Sequence, residues 1–253
     1  LEPYRSLTGD EIGNGARVAG GGLFGGVFGL AGAAIDAVVD AVTGEVYMSY
    51  DSNVYATGSG KVFWPNPIQT KGDDIGLQNA NPGVDATSAA LDAQRVDVTL
   101  QNLDGTGKLN GLYVRMNATA RPAPPIGTGI APPGGAPAGQ ANEATLVFNY
   151  DRDDPRFEEV CIYHTIDSVQ RWIQGLGFNN TNPLPNGIRE FVTPANAHSF
   201  YGFNAFWSEA LGEMHFGEGD SPHIIFGGNP PDSPDLGEDG DVTAHEYGHA
   251  LLW

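Results

Sequence analysis

The stretch VTAHEYGHALLW, residues 242–253, contains the pattern His245-Glu246-Tyr247-Gly248-His249. Residues four apart lie on the same face of an α-helix, so a helix here places the two imidazoles side by side. Two imidazoles in this arrangement can bind one Zn²⁺, with the carboxylate of Glu246 beside the metal. Zinc lowers the pKa of a bound water to about 7, and Glu246 can then act as general base and acid toward that water and the leaving amine. The alternative is a core helix whose two histidines are only hydrogen-bonded.

A catalytic zinc site needs a third protein ligand and an open position for water. The sequence has four residues after His249, and none of them is a metal ligand. We therefore expect the third ligand and the residues that stabilise the transition state to lie in polypeptide beyond this chain. Two imidazoles alone should hold zinc weakly, so we expect the chain by itself to be inactive.

The composition favours a β-rich or α+β fold, because 36 glycines and 18 prolines imply many turns. A net charge of −19 with only three lysines argues against a nucleic-acid partner and against an anionic membrane. From Glu190 onward there are eleven acidic residues and no Lys or Arg. Such a surface suits divalent cations or high salt, and it also suits a solvated acidic face that aids solubility. Residues 21–42 are apolar but broken by six glycines and two aspartates, so they do not predict a membrane span.

The single cysteine, Cys161, excludes an intrachain disulfide, and its apolar helical surroundings predict a buried, inert thiol. The chain begins at Leu1 without a leader segment, which we interpret as a processed product or a fragment.

Periodicity and turn residues predict the order of the remaining elements. The clearest helix has Asp154 as its predicted N-cap and Pro155 as its first residue, and Gly175 lies just past its end. Its apolar stripe is Ile162, Ile166, Val169 and Ile173, and Trp172 is among the residues that widen this largely buried face. We predict shorter helices at 31–42 and 86–93, an exposed Pro/Gly loop at 121–140, and strands at 45–50, 95–100, 112–118, 145–150, 213–216 and 223–226.

Several stretches together resemble the gluzincin metallopeptidases of the thermolysin and fungalysin type. They are FNAFWSEALGEMHFGEGD at 203–220 and DVTAHEYGHAL at 241–251, preceded by FEEVCIYHTIDSVQRWIQGLGF at 157–178 and VYATGSGKVFWPNP at 54–67. The run AVVDAVTGEVY at 37–47 is similar to the end of a fungalysin-type propeptide. Tyr247 is closer to the fungalysins, whereas Gly248 departs from the threonine usual in both groups.

The resemblance implies an α+β fold: the β-rich, antiparallel N-terminal half of a thermolysin/fungalysin-like peptidase, with one long buried helix and the start of the zinc-binding helix. Residues 1–44 would be an N-terminal segment and a candidate propeptide remnant. Residues 45–253 would be the β-rich part of the peptidase domain, with the C-terminal helical half absent.

The resemblance assigns zinc binding to His245 and His249 and acid/base work to Glu246. It assigns substrate binding on an edge strand to the side chain of Asn204 and the main chain of Ala205. An exposed edge offers unpaired N–H and C=O groups to an extended peptide, although Asn204 could instead simply terminate the strand.

Asp241 aligns with a Ca²⁺-binding position of thermolysin-like members. It is therefore a candidate calcium ligand, but we prefer to interpret it as a helix N-cap.

Two functions from different classes follow. The first is a zinc-dependent endopeptidase, or its N-terminal portion, acting on peptide or protein substrates. The second is an inactive peptidase-like module that binds within a surface assembly or pairs with its own C-terminal half. The resemblance to secreted zymogens implies an extracellular or cell-surface location.

Overall fold

The computed structural model describes residues 35–39, 46–51, 55–77, 87–117, 140–179, 187–189, 192–200, 203–217 and 235–253. The chain divides into two compact units, residues 1–54 with 177–187 and residues 55–176 with 188–253. The strand predicted at 223–226 and nearly all of the loop predicted at 121–140 lie outside the described residues.

The first unit contains an antiparallel pair, β1 (Ile35–Val39) and β2 (Val46–Asp51), with Ile35 opposite Asp51. The strand at 45–50 is thereby confirmed, whereas the helix predicted at 31–42 is wrong. The segment IDAVV is rich in β-branched residues, and pairing with β2 satisfies its backbone groups, which outweighs the helix preference of the neighbouring alanines.

In the second unit, a three-stranded sheet has the order β4-β3-β6. Its strands are β3 (Ala56–Val62), β4 (Val96–Leu103) and β6 (Val147–Phe148). β3 runs antiparallel to β4 and parallel to β6. The strand predicted at 95–100 is present as β4, whereas of the strand predicted at 145–150 only Val147–Phe148 pairs, as β6.

A four-stranded sheet has the order β5-β7-β9-β8. Its strands are β5 (Val114–Met116), β7 (Thr193–Phe200), β8 (Ala205–Ser208) and β9 (Glu213–Gly217). β8 and β9 are antiparallel, but the pairs β5–β7 and β7–β9 are parallel. The expectation of an antiparallel half is therefore only partly right. Parallel neighbours need a long crossover, and here the chain between β5 and β7 contains the longest helix.

The described helices are α1 (Pro67–Lys71), α2 (Ala89–Asp92), α3 (Arg156–Gly175) and α4 (Gly240–Leu252), with a 3-10 turn at Leu236–Glu238. α3 starts one residue later than predicted, because Pro155 and not Asp154 is the N-cap, and the carboxylate of Asp154 accepts from the Arg156 N–H at 3.0 Å. Ile162 and Ile166 are fully buried as expected, but Trp172 is 65% exposed and does not belong to the buried stripe. α3 contacts both sheets of the second unit and also α4.

The core of the second unit forms around α3. Phe157 on its first turn packs edge-on against Phe63, with ring centroids 5.0 Å apart. β3 approaches α3 so closely that a Cβ at Gly60 would lie 2.8 Å from Val160 Cγ1. Cys161 is buried as predicted, and burial raises the pKa of its thiol. Burying each large apolar side chain of this kind contributes about 1.5–3 kcal/mol.

These elements make the second unit an α+β structure, as the composition indicated. Within the ranges that the structure describes, no helix is both long and apolar enough to cross a bilayer.

Candidate active site

The histidine pair lies on α4, and the start of this helix differs from the prediction. The N-cap is Asp239, whose carboxylate accepts from the Asp241 N–H at 2.8 Å and the Val242 N–H at 3.3 Å. Asp241 is therefore not the cap but a residue of the first turn, where a negative charge is favourable. The sequence contains acids at both positions, and only the backbone geometry distinguishes them.

The side chain of Asp241 faces α1 rather than other carboxylates. Its Oδ2 accepts from Nε2 of Gln69 and from Nδ2 of Asn66, the latter at 3.4 Å. Among the described residues, the group of metal-ligand side chains that come together elsewhere does not include Asp241. A calcium role for this residue stays a prediction.

His245 and His249 are exposed and converge. Their Nε2 atoms lie 3.2 Å apart, and their rings meet edge to face with centroids at 4.9 Å. Zinc binds imidazole nitrogens at about 2.0–2.1 Å with tetrahedral angles, which places two such nitrogens about 3.3 Å apart. The separation of the two nitrogens therefore matches that of two ligands on one zinc. Without metal, the same distance allows one ring to donate a hydrogen bond to the other.

Glu246 lies between the two histidines in sequence but is buried, with 8% of its surface exposed. Its Oε2 accepts a hydrogen bond from the backbone N–H of Trp207 at 3.0 Å. Trp207 belongs to β8, so this bond ties the glutamate of the helix to the edge strand of the sheet. The carboxylate is thereby held in one orientation close to the strand.

β8 has the position that the substrate-binding prediction requires, at one edge of the four-stranded sheet in the described part of the chain. Asn204 precedes the strand and is exposed, and its carbonyl accepts from the Gly217 N–H at 3.0 Å. Ala205 opens the strand opposite Phe216. Glu246 of α4 is thus hydrogen-bonded to the strand that Ala205 opens, although 41 positions separate the two residues in the sequence.

Two further contacts hold α4 in place, and neither was predicted. The Tyr247 hydroxyl is fully buried and donates to Gln170 Oε1 of α3 at 2.8 Å, and burial raises its pKa. The guanidinium of Arg189 donates to the Ala250 carbonyl at 2.8 Å and lies 4.5 Å from the ring centre of Trp207. A cation near the last turn stabilises the helix C-terminus, and its cation–π contact connects that end to β8.

The structure also brings together a second group of potential ligands that sequence reasoning missed. Glu158, His198 and Asp235 are buried, and one ligand atom from each lies within 4.8 Å of the others. About forty residues separate successive members, so no local spacing could have indicated this group.

No protein-family model matches this chain, and no curated protein matches it either. The gluzincin resemblance therefore rests on the motifs quoted above.

Proposed function

We propose that this chain carries the histidine pair and the general base of a zinc-dependent endopeptidase. The observation that supports this best is the convergence of the His245 and His249 Nε2 atoms at 3.2 Å on the helix that also carries Glu246. That separation matches two nitrogens on one tetrahedral zinc. The gluzincin-like motifs support the same function.

In this proposal His245 and His249 hold the metal, which when bound polarises the scissile carbonyl and makes water nucleophilic near neutral pH. Glu246 takes a proton from the attacking water and delivers it to the leaving amine. The bond from the Trp207 N–H keeps the carboxylate oriented for that transfer. The side chain of Asn204, which is exposed, and the main chain of Ala205, whose side chain is buried, bind the substrate as an extended strand at the sheet edge.

The proposal requires a third ligand. Among the described residues, His245 and His249 belong to no group of three His, Cys, Asp or Glu side chains that could hold a metal. The third ligand must therefore come from residues outside the described ranges or from further polypeptide.

Among the residues that the structure describes, only two ligands come together here, and this observation favours a second candidate, a peptidase-like module that binds peptides at β8 without cleaving them. Such a module fits a surface assembly. It predicts peptide binding with no turnover, even when zinc is supplied.

Replacing Glu246 by Gln tests the first proposal in the full-length protein. Because the amide cannot accept the proton, peptide hydrolysis should fall by about 10²–10⁴-fold while zinc content stays the same. His249→Ala should instead remove the zinc. Glu209→Gln, on the exposed turn after β8, is the matched control and should leave both zinc content and hydrolysis unchanged.

Hydrolysis that persists unchanged in the Glu246→Gln variant would remove this residue from the mechanism. A zinc-loaded protein that binds peptides but hydrolyses none would favour the binding module.

A further inference from the structure

A second cluster of ligand-type side chains lies away from the histidine pair of α4. Glu158 comes from the first turn of α3, His198 from β7, and Asp235 from the residue just before the 3-10 turn that leads into α4. Their exposed fractions are 2%, 2% and 1%. Three elements distant in sequence therefore meet at one buried point, with ligand atoms within 4.8 Å of one another.

The hydrogen bonding of His198 orients it as a ligand. Its Nε2 lies 2.7 Å from the carbonyl oxygen of Pro155, and a carbonyl can only accept, so Nε2 carries the hydrogen. Nδ1 then faces Oε2 of Glu158 at 3.4 Å. Metal-binding histidines in proteins typically donate their other ring N–H to a backbone carbonyl or carboxylate, which fixes the tautomer and the ring plane.

The charge of the cluster also favours a divalent cation. Two carboxylates buried this closely repel each other and lose their hydration. Protonation of His198 offsets one of these two carboxylate charges, whereas a divalent cation beside neutral His198 offsets both. Glu159, next to Glu158, is a further buried acid in the same region.

We propose that Glu158, His198 and Asp235 form a buried structural zinc site. A mixed set of one imidazole and two carboxylates suits zinc, whereas calcium and magnesium prefer oxygen ligands throughout. The distance of 3.4 Å between His198 Nδ1 and Glu158 Oε2 is close to the roughly 3.3 Å between two ligand atoms on a tetrahedral zinc. The ligand atom of Asp235 lies within 4.8 Å of the other two, and its second oxygen or one water would complete the coordination.

The role of this site is to join α3, β7 and the segment that leads into α4. It lies in the core, closed to substrate, and so stabilises the position of the helix that carries His245, Glu246 and His249. The inference does not depend on the proposed peptidase activity, because it concerns different ligands.

The test uses the full chain with both α4 histidines removed, His245→Ala/His249→Ala. This variant is stripped with a chelator, reloaded with zinc chloride, desalted, and analysed for metal by mass spectrometry. We expect one zinc per chain. We also expect a hundredfold excess of zinc over its Kd to raise the melting temperature by about 5–10 °C.

Adding Glu158→Gln or Asp235→Asn to that variant should abolish the bound zinc and the rise in melting temperature. The matched control is Glu159→Gln, which changes a neighbouring buried carboxylate outside the cluster and should retain the zinc. The proposal is overturned if the double variant binds no zinc, if it binds only calcium, or if zinc remains after Glu158→Gln.

Crystals of the parent protein provide a test that does not depend on how the variants fold. Anomalous diffraction at the zinc edge should show a peak between Glu158 and His198, and its absence in zinc-soaked crystals would overturn the site. The anomalous signal at Glu158 and His198 is measured separately from any signal at the α4 histidines. A missing peak at this site therefore does not affect the peptidase proposal, and a failed peptidase test does not affect this site.

Discussion

The ion pair between Arg152 and Glu238 should be among the strongest single determinants of stability near the candidate active site. Arg152 precedes α3, and Glu238 ends the 3-10 turn before α4. The guanidinium Nε lies 2.9 Å from both carboxylate oxygens, and the two side chains are only 2% and 5% exposed. The pair therefore connects the long helix to the segment that positions the histidine helix.

Replacing Arg152 by Met leaves the carboxylate of Glu238 buried without its guanidinium. Breaking a buried pair in this way costs about 3–5 kcal/mol, because the remaining charge keeps its desolvation penalty. With a urea m-value of roughly 2 kcal/mol/M, the unfolding midpoint should fall by about 2 M. Arg152→Met/Glu238→Leu removes both charges, so we expect it to recover most of the loss and to lie within about 1–2 kcal/mol of the parent protein.

Equilibrium urea unfolding at neutral pH, followed by fluorescence and by circular dichroism, measures Arg152→Met, Glu238→Leu, the double variant and the parent protein. The matched control is Lys61→Met, because the pair Lys61–Asp97 is 3.1 Å long but 33% and 84% exposed. Its loss should change the free energy of unfolding by less than about 1 kcal/mol. The reasoning fails if Arg152→Met costs no more than Lys61→Met, or if the double variant is as unstable as the sum of its single changes.

Three further predictions concern His164 of α3 and two glycines. His164 packs edge-on against Trp64, and burial lowers its pKa to about 4, so the unfolded chain binds more protons than the native one between pH 6.5 and 4. As the pH falls from 6.5 to 4, the free energy of unfolding of the parent protein should decrease by up to about 3 kcal/mol more than that of His164→Gln, as measured by urea titration. Equal decreases in the two proteins would contradict the burial argument. Gly248 has open space around its Cβ position, so Gly248→Ala should stabilise α4 by up to about 1 kcal/mol in thermal unfolding. Gly60→Ala should destabilise by about 1–3 kcal/mol through its clash with Val160, and a stabilising effect there would show that β3 and α3 can separate without cost.

Local sequence patterns predicted many elements correctly, because their signals act over a few residues. Asp154-Pro155 predicted the start of α3 to within one residue, the apolar stripe predicted most of its buried face, and alternating residues predicted β4. The helix predicted at 31–42 failed because pairing between β1 and β2 outweighs local propensity. The predicted burial of Trp172 was wrong, because periodicity shows which face of the helix a residue lies on but not how much of that face other elements cover.

The sequence by itself determined that His245, Glu246 and His249 share one helix, because a spacing of four residues is a property of the helix and needs no partner. Only the tertiary structure decided that Glu246 is held by the Trp207 N–H, that β8 lies at a sheet edge, and that Glu158, His198 and Asp235 meet in the core. Those contacts join segments far apart in the chain. They depend on how sheets and helices pack, and parallel pairing through a long crossover leaves no short-range signal in the sequence.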